Sequence, residues 1–218
     1  IMGRMPVGKV IEILGPSGDP EVELLAVIRQ YNLPLQFPDT VIAEMEAIEE
    51  SISDKEFAHR LDLRNILTFT IDPASAKDFD DAISLERINQ GWRLYVHIAD
   101  VAHYVKPESA TFSEAVKRGN SFYFPKKVIP MLPEKLSNKV CSLRPNEDKL
   151  AMSVITDFNL QGKIMRQRLE ESVIRSDYRL NYDQVDELFS GKNTDFPSDL
   201  SETLLSARKL SSLLTAKR

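Results

Sequence analysis

Four aspartates fall within ten residues of this sequence: Asp72, Asp78, Asp80 and Asp81, in the run Thr70-Ile71-Asp72-Pro73-Ala74-Ser75-Ala76-Lys77-Asp78-Phe79-Asp80-Asp81-Ala82. Asp72 ends an apolar, β-rich stretch, and the other three lie in or after a loop of small residues. Carboxylates packed this closely repel one another unless positive charge sits among them. A hard divalent cation supplies it through oxygen ligands, and Mg2+ is the usual choice beside phosphate. The flanking apolar residues draw the acids toward a low-dielectric site, where unpaired charge is costly. An acidic site can in turn hold an anionic phosphodiester only with metal charge between them. There the metal stabilises the attacking and leaving oxygens of an in-line displacement.

Other carboxylate chemistries fail on spacing. A calcium loop starting at Asp72 needs oxygen ligands at 74 and 76, both Ala; one starting at Asp78 needs Gly at 83 and Glu at 89, which are Ile and Asn. An Asp-x-Asp phosphotransferase nucleophile should follow an apolar strand directly, and Ser75-Ala76-Lys77 before Asp78 is not one. A P-loop, a zinc-binding His-Glu-x-x-His helix and a Gly-x-Ser-x-Gly elbow are absent from the sequence. None of the three histidines groups with Cys141 at zinc spacing.

The elements that must carry this loop are legible as alternating runs. Ile66–Ile71 and Ala82–Arg87 read as strands on either side of the acids, and Gln90-Gly91 as a turn. Trp92, Leu94, Val96 and Ile98 then alternate with Arg93, Tyr95 and His97, predicting a half-buried strand. Pro107–Arg118 is predicted helical, with Gly119 as its terminator. Residues 121–145, with four prolines, are expected to be extended and irregular. Leu150–Phe158 and Lys163–Ile174 read as two strands, and 182–189 and 201–214 as helices. Upstream, 21–31 and 40–50 are predicted helices, the second capped by Asp39, while Val7–Leu14 reads as one strand with no partner.

The 218 residues carry a net charge of −5, which by itself suits a nucleic-acid binder poorly. Its distribution matters more. Residues 101–150, just after the acids, hold nine Lys or Arg against five Asp or Glu. Within them Lys117, Arg118, Lys126 and Lys127 flank Phe122-Tyr123-Phe124, and basic residues around aromatics suit a channel that tracks single-stranded nucleic acid. One cysteine, Cys141, excludes an internal disulfide and favours a reducing, cytoplasmic location. The sequence has no uncharged apolar stretch of transmembrane length, and nothing in it identifies a protein partner.

These residues resemble the ribonuclease II/ribonuclease R family of exoribonucleases, whose catalytic domain is called RNB. The resemblance is carried by Asp72-Pro73 with Asp78-Phe79-Asp80-Asp81-Ala82, by Leu61-Asp62-Leu63-Arg64 and by His97-Ile98-Ala99-Asp100-Val101-Ala102-His103-Tyr104-Val105. It continues through Arg118–Pro125, Val128–Ser137, Cys141-Ser142-Leu143 and Asp148–Ser153, and covers about residues 60–190. Residues 1–50 are similar to the last strand of an OB-type cold-shock domain plus a helical connector, leaving 51–218 as the N-terminal portion of the RNB domain. The implied fold is α+β, a mixed or antiparallel sheet with flanking helices.

The resemblance implies Mg2+-dependent hydrolysis of single-stranded RNA from its 3′ end, releasing nucleoside 5′-monophosphates. Asp72, Asp78 and Asp81 would ligate the metal, and Asp80 would orient or deprotonate the attacking water or hold a second ion. Tyr123 would stack on a base near the 3′ end, with Arg118 and Lys126 beside the strand. The family's catalytic domain runs well beyond Arg218, so the chain is expected to be a piece of a longer nuclease. Two other readings stay open: a non-catalytic RNA-binding module of the same fold, and an unrelated metal-dependent phosphotransferase or glycosyltransferase.

Overall fold

A computed structural model describes residues 8–192 and 195–217. The helices α1 (Pro20–Gln30), α2 (Asp39–Ala47) and α3 (Asp54–His59) come first, followed by the strands β1 (Leu61–Asp62), β2 (Thr68–Asp72), β3 (Asp81–Ile88) and β4 (Gly91–Ala99). Next come α4 (Val101–Tyr104), α5 (Ala110–Arg118) and a hairpin of β5 (Phe122–Phe124) and β6 (Lys127–Ile129). A π-type turn over Leu136–Val140 leads to β7 (Asp148–Asn159), β8 (Ile164–Arg175), β9 (Tyr178–Asn181), α6 (Tyr182–Phe189) and α7 (Ser198–Thr215). Among the described residues, no helix is long and apolar enough to cross a membrane.

Seven strands form one mixed sheet in the order β1-β8-β7-β4-β3-β2-β9. The long central strands pair antiparallel, as the family resemblance implies, while the short β1 and β9 join the edges in parallel with β8 and β2. On one face Phe69 and Leu180, and farther along Trp92 and Phe158, pack against Val185 of α6 and Leu200, Leu204 and Leu210 of α7. The other face packs Phe79, Ala82, Tyr95, Ala99, Ala151 and Ile155 against Leu136, Val140, Cys141, Leu143 and Met45. Gly91 opens β4 where a Cβ would stand 1.9 Å from the Phe158 carbonyl oxygen, so only glycine lets β4 and β7 approach there.

The sequence expectations need four corrections. Residues 8–14 form no strand: among the described residues they pair with no other segment, and Val10, Ile11 and Ile13 stand exposed; Val7 lies outside the described residues. Asp39 is the first helical residue of α2 and Pro38 its cap, with no side-chain hydrogen bond. The proline-rich 121–145 segment contains the β5–β6 hairpin and the π-type turn, since Pro125 falls in the hairpin's turn and the other prolines outside both elements. The edge strands β1 and β9 were not foreseen.

Three charged side chains fasten the segment of α2 to the domain. The Glu44 carboxylate accepts the Ala110 and Thr111 amides (2.7 and 2.8 Å) at the start of α5. Lys135 donates to the Met45 and Ile48 carbonyls at the end of α2 (2.7 and 2.8 Å). Arg118 donates to the Pro34, Gln36 and Pro130 carbonyls and to Glu114, and stacks on Phe37.

A buried polar seam crosses the sheet. Thr68, Ser84, His97, Ser153 and Ser172, on β2, β3, β4, β7 and β8, are linked side chain to side chain at 2.6–3.0 Å. The seam ends on the carbonyls of Ile66 and Ala151. These six contacts have four hydroxyl hydrogens and, with a neutral ring, one imidazole hydrogen to serve them. One contact therefore lacks a hydrogen, at about 1 kcal/mol. A buried imidazolium with no carboxylate partner costs several times that, and burial pushes the His97 pKa down to about 4. The unfolded chain takes up this proton near pH 6.5. The native state binds fewer protons between the two values, so stability falls as pH drops from about 6.5 to 4, by on the order of 3 kcal/mol. His97→Gln should lower Tm at pH 7 and flatten this fall; thermal unfolding across the range measures both.

Candidate active site

The acids sit where β2 ends and β3 begins. The two strands run antiparallel, with Thr68 opposite Ser84 and Phe69 opposite Ile83, so Asp72 leaves the sheet near the point where Asp81 enters it. The loop between them is held by its backbone. The Asp80 carbonyl accepts the Ala99 amide (2.9 Å), and the Phe79 carbonyl accepts the Leu143 amide (2.8 Å). Ser142 Oγ accepts the Phe79 amide (3.0 Å) and donates to the Lys77 carbonyl (3.2 Å). Arg179 of β9 donates to the Ala74 and Ala76 carbonyls. Phe79 is buried between Asp78 and Asp80 and anchors the loop in the core cluster.

This arrangement brings the four carboxylates within electrostatic reach of one another. Burial raises the Asp80 pKa, and Asp78, Asp81 and Asp72 raise it further. Asp72 is also raised, first by burial and then by Asp81 and Asp78, with Thr70 and Arg179 opposing. Among the described residues, none of the four acids forms an ion pair within 4 Å, so their repulsion is not locally neutralised. Nor do they close into a finished cage: among the described residues, no three Asp, Glu, His or Cys side chains group at metal-holding distances.

One atom bears directly on a cation. Asp72 Oδ2, like Thr70 Oγ1 two residues before it on β2, is buried without a hydrogen-bond partner among the described residues. A buried carboxylate oxygen left bare is expensive, and a hard cation is the ligand its chemistry suits. The donor set, all hard anionic oxygen, fits Mg2+.

The remaining sequence candidates separate. Tyr123 lies on β5 opposite Val128 and is 70% exposed, while Phe122 and Phe124 are half-buried. Lys126 is exposed in the turn between β5 and β6. Arg118 is a correction. It is buried, and four of its five N–H groups are committed to Glu114 and to the carbonyls of Pro34, Gln36 and Pro130, which leaves no exposed fork for phosphate. Trp92 and Cys141 are core residues, and burial pushes the Cys141 thiol up to about 12. Ser142 and Arg179 were missed as site residues, because each acts on the loop through the loop's backbone; Ser142 stands in the Cys141-Ser142-Leu143 motif, which gave it no role, and Arg179 in none of the motifs that carry the resemblance.

Comparison with known proteins bears on the whole arrangement. The family model for the RNB domain matches residues 60–218, and a cold-shock domain model matches 2–38. The chain belongs to the RNB domain family. Ribonuclease R of Aquifex aeolicus is 47% identical over 215 residues, covering 97% of this chain and 30% of that protein. Ribonuclease R of Acidithiobacillus ferrooxidans is 48% identical over 188 residues, covering 86% and 43%. Mycoplasma genitalium RNase R, solved in complex with ribose-methylated single-stranded RNA, superposes with a TM-score of 0.87 at 34% identity, over 94% of this chain and 32% of that one. The chain thus spans less than half the length of the curated relatives it matches. RNB membership removes the unrelated phosphotransferase and glycosyltransferase readings.

The raised carboxylates set a stability test. A folded carboxyl that keeps its proton to higher pH than the unfolded chain does makes the native state the better proton binder there. Stability is then lost as pH rises from the ordinary carboxylate range through the raised values. Without divalent ions at pH 7, Asp80→Asn should raise Tm by about 2–4 °C, a typical response to a small relief in a chain of this size. Adding Mg2+ should raise the wild-type Tm and move the variant less; scanning calorimetry with and without the ion checks both.

Proposed function

We propose that this chain is the catalytic-site portion of a Mg2+-dependent, hydrolytic 3′-to-5′ exoribonuclease that degrades single-stranded RNA to nucleoside 5′-monophosphates in the cytoplasm. The observation that supports the reading is four carboxylates within electrostatic reach of one another and free of ion pairs among the described residues, one with a bare buried oxygen, at the sheet end of an RNB domain. The proposed division of the chain is the end of a cold-shock domain with its connector over 1–50 and RNB domain from 51 onward. RNA as substrate class is supported by the Mycoplasma genitalium RNase R complexes with single-stranded and double-stranded RNA.

Asp72, Asp78 and Asp81 would hold the metal, with the bare Asp72 oxygen as one ligand atom. When bound, Mg2+ supplies positive charge where phosphate and carboxylates meet and activates water near neutral pH. Asp80 lies deepest in the mutual repulsion, and its raised pKa brings it closer to the range useful for accepting a proton. It would take the proton from the attacking water as the water oxygen bonds to phosphorus and the P–O3′ bond breaks. The phosphate then stays on the 5′ oxygen of the released nucleotide. Tyr123 would stack on a base near the 3′ end, a contact worth about 1–3 kcal/mol that tolerates any base, and Lys126 would face the backbone.

A single-turnover assay with Mg2+ and a 5′-labelled oligonucleotide tests the reading. Wild-type should shorten the RNA from its 3′ end one nucleotide at a time. Asp80→Asn should lose hydrolysis by roughly 100-fold or more, the scale of a general base, while binding RNA within a few-fold. If wild-type binds RNA but never cleaves it, the non-catalytic module is the correct reading. Tyr123→Ala should change the length of the shortest RNA left undigested, read on a sequencing gel; an unchanged end product removes the stacking role.

A further inference from the structure

We infer that Arg179 is a positioning residue for the acidic loop: it fixes where Asp78 and Asp80 point before cation or RNA arrives. The inference rests on the proposed reading of the four aspartates as a cation-dependent site. It begins from what the loop lacks. Pro73, Ala74 and Ser75 are exposed and only Ala76 packs, partly buried, against the core, so packing holds little of this stretch. The pins from Ser142 and Leu143 reach only Lys77 and Phe79. Among the described side chains, Arg179 alone grips the earlier half, donating from Nη2 to the Ala74 carbonyl at 2.6 Å and to the Ala76 carbonyl at 3.3 Å.

The same guanidinium lies over the Phe79 ring, 5.2 Å from its centroid. Phe79 stands between Asp78 and Asp80, so holding its ring limits the directions open to both neighbours. Strand β9 delivers the arginine: parallel pairing places Thr70 opposite Arg179 and Asp72 opposite Asn181. Arg179 therefore spans from the strand beside Asp72 to the far side of the loop. A lysine ammonium could donate to two carbonyls, but it has no guanidinium plane to lie over the Phe79 ring while its nitrogen reaches them, so it cannot reproduce the carbonyl grip and the ring contact together.

Positioning and bare charge make opposite predictions, which lets an experiment choose. If Arg179 acted only as a positive charge near the acids, removing it would make the site more attractive to Mg2+. If it orders the loop, removing it forces the cation to order the loop on binding, and affinity falls. Solvent screens the charge effect at this exposed position, so loop ordering should dominate.

The test is calorimetric titration of Mg2+ into the RNA-free full chain for wild-type, Arg179→Lys and Arg179→Ala, followed by single-turnover hydrolysis. Both variants should bind Mg2+ roughly 5- to 20-fold more weakly, the cost of ordering about one residue's backbone. At saturating Mg2+ their kcat should fall roughly tenfold or more through misplaced groups, with KM for RNA within about twofold. Arg179→Ala binding Mg2+ as tightly as wild-type or tighter, with Arg179→Lys unchanged, would overturn the inference. If Arg179→Ala does not fold, as judged by calorimetry, the Arg179→Lys arm decides alone. Wild-type failing to bind Mg2+ at all would instead sink the underlying site reading, and this inference with it.

Discussion

The constraint on which the rest depends is the enforced closeness of like charges. Left to themselves, the carboxylates of Asp72, Asp78, Asp80 and Asp81 would separate into water. They are kept together because the main chain that bears them is fixed at several points: the Asp80 carbonyl to β4, the Phe79 carbonyl and amide to Leu143 and Ser142, and the Ala74 and Ala76 carbonyls to Arg179. Only rigid attachment to a large sheet can hold such a cluster, because each exposed acid has no local partner to gain. On the proposed reading, the domain tolerates this local repulsion so that a cation, on binding, has only a short way to draw its ligands together.

Sheet register is the second requirement. A slip of one residue between β2 and β3 would send Asp72 and Asp81 to the wrong faces. The buried seam from Thr68 to Ser172 specifies that register more sharply than apolar packing does, since a slipped strand would bury unpaired hydroxyls. Apolar side chains of similar size tolerate a shift; a directional chain of hydroxyls and one imidazole does not. The charged fasteners Glu44, Arg118 and Lys135 do for the connector what the seam does for the sheet. They tie α2 to α5 and to the segment after the Tyr123 hairpin.

Much of this was legible in the sequence because the information is local. The acids are adjacent, and their repulsion follows from spacing alone. Strand β4 announces itself by alternation, β2, β3, β7 and β8 by runs of strand-forming residues, and Gly119 by its place after a helical run, where it adopts φ +75°. What stayed hidden is nonlocal. Edge strands of two and four residues have no pattern of their own and exist only through parallel partners far along the chain. Arg118 looked like a phosphate contact because it sits among basic and aromatic residues; its acceptors are carbonyls at 34, 36 and 130, which no spacing rule connects. Arg179 was invisible for the same reason. The apolar run ending at Leu14 carried a correct propensity, but propensity without a partner strand makes no sheet.

The central claim is that these acids form a cation-binding centre, and Mn2+ as an anomalous-scattering stand-in for Mg2+ tests it most directly. Crystals of the protein grown with Mn2+ and a short single-stranded RNA should give an anomalous peak bonded to Asp72 Oδ2 and at least one of the other three carboxylates, beside an RNA phosphate. An RNA-bound structure with no peak there at saturating Mn2+, or with the four carboxylates turned away from the phosphate, would contradict the account.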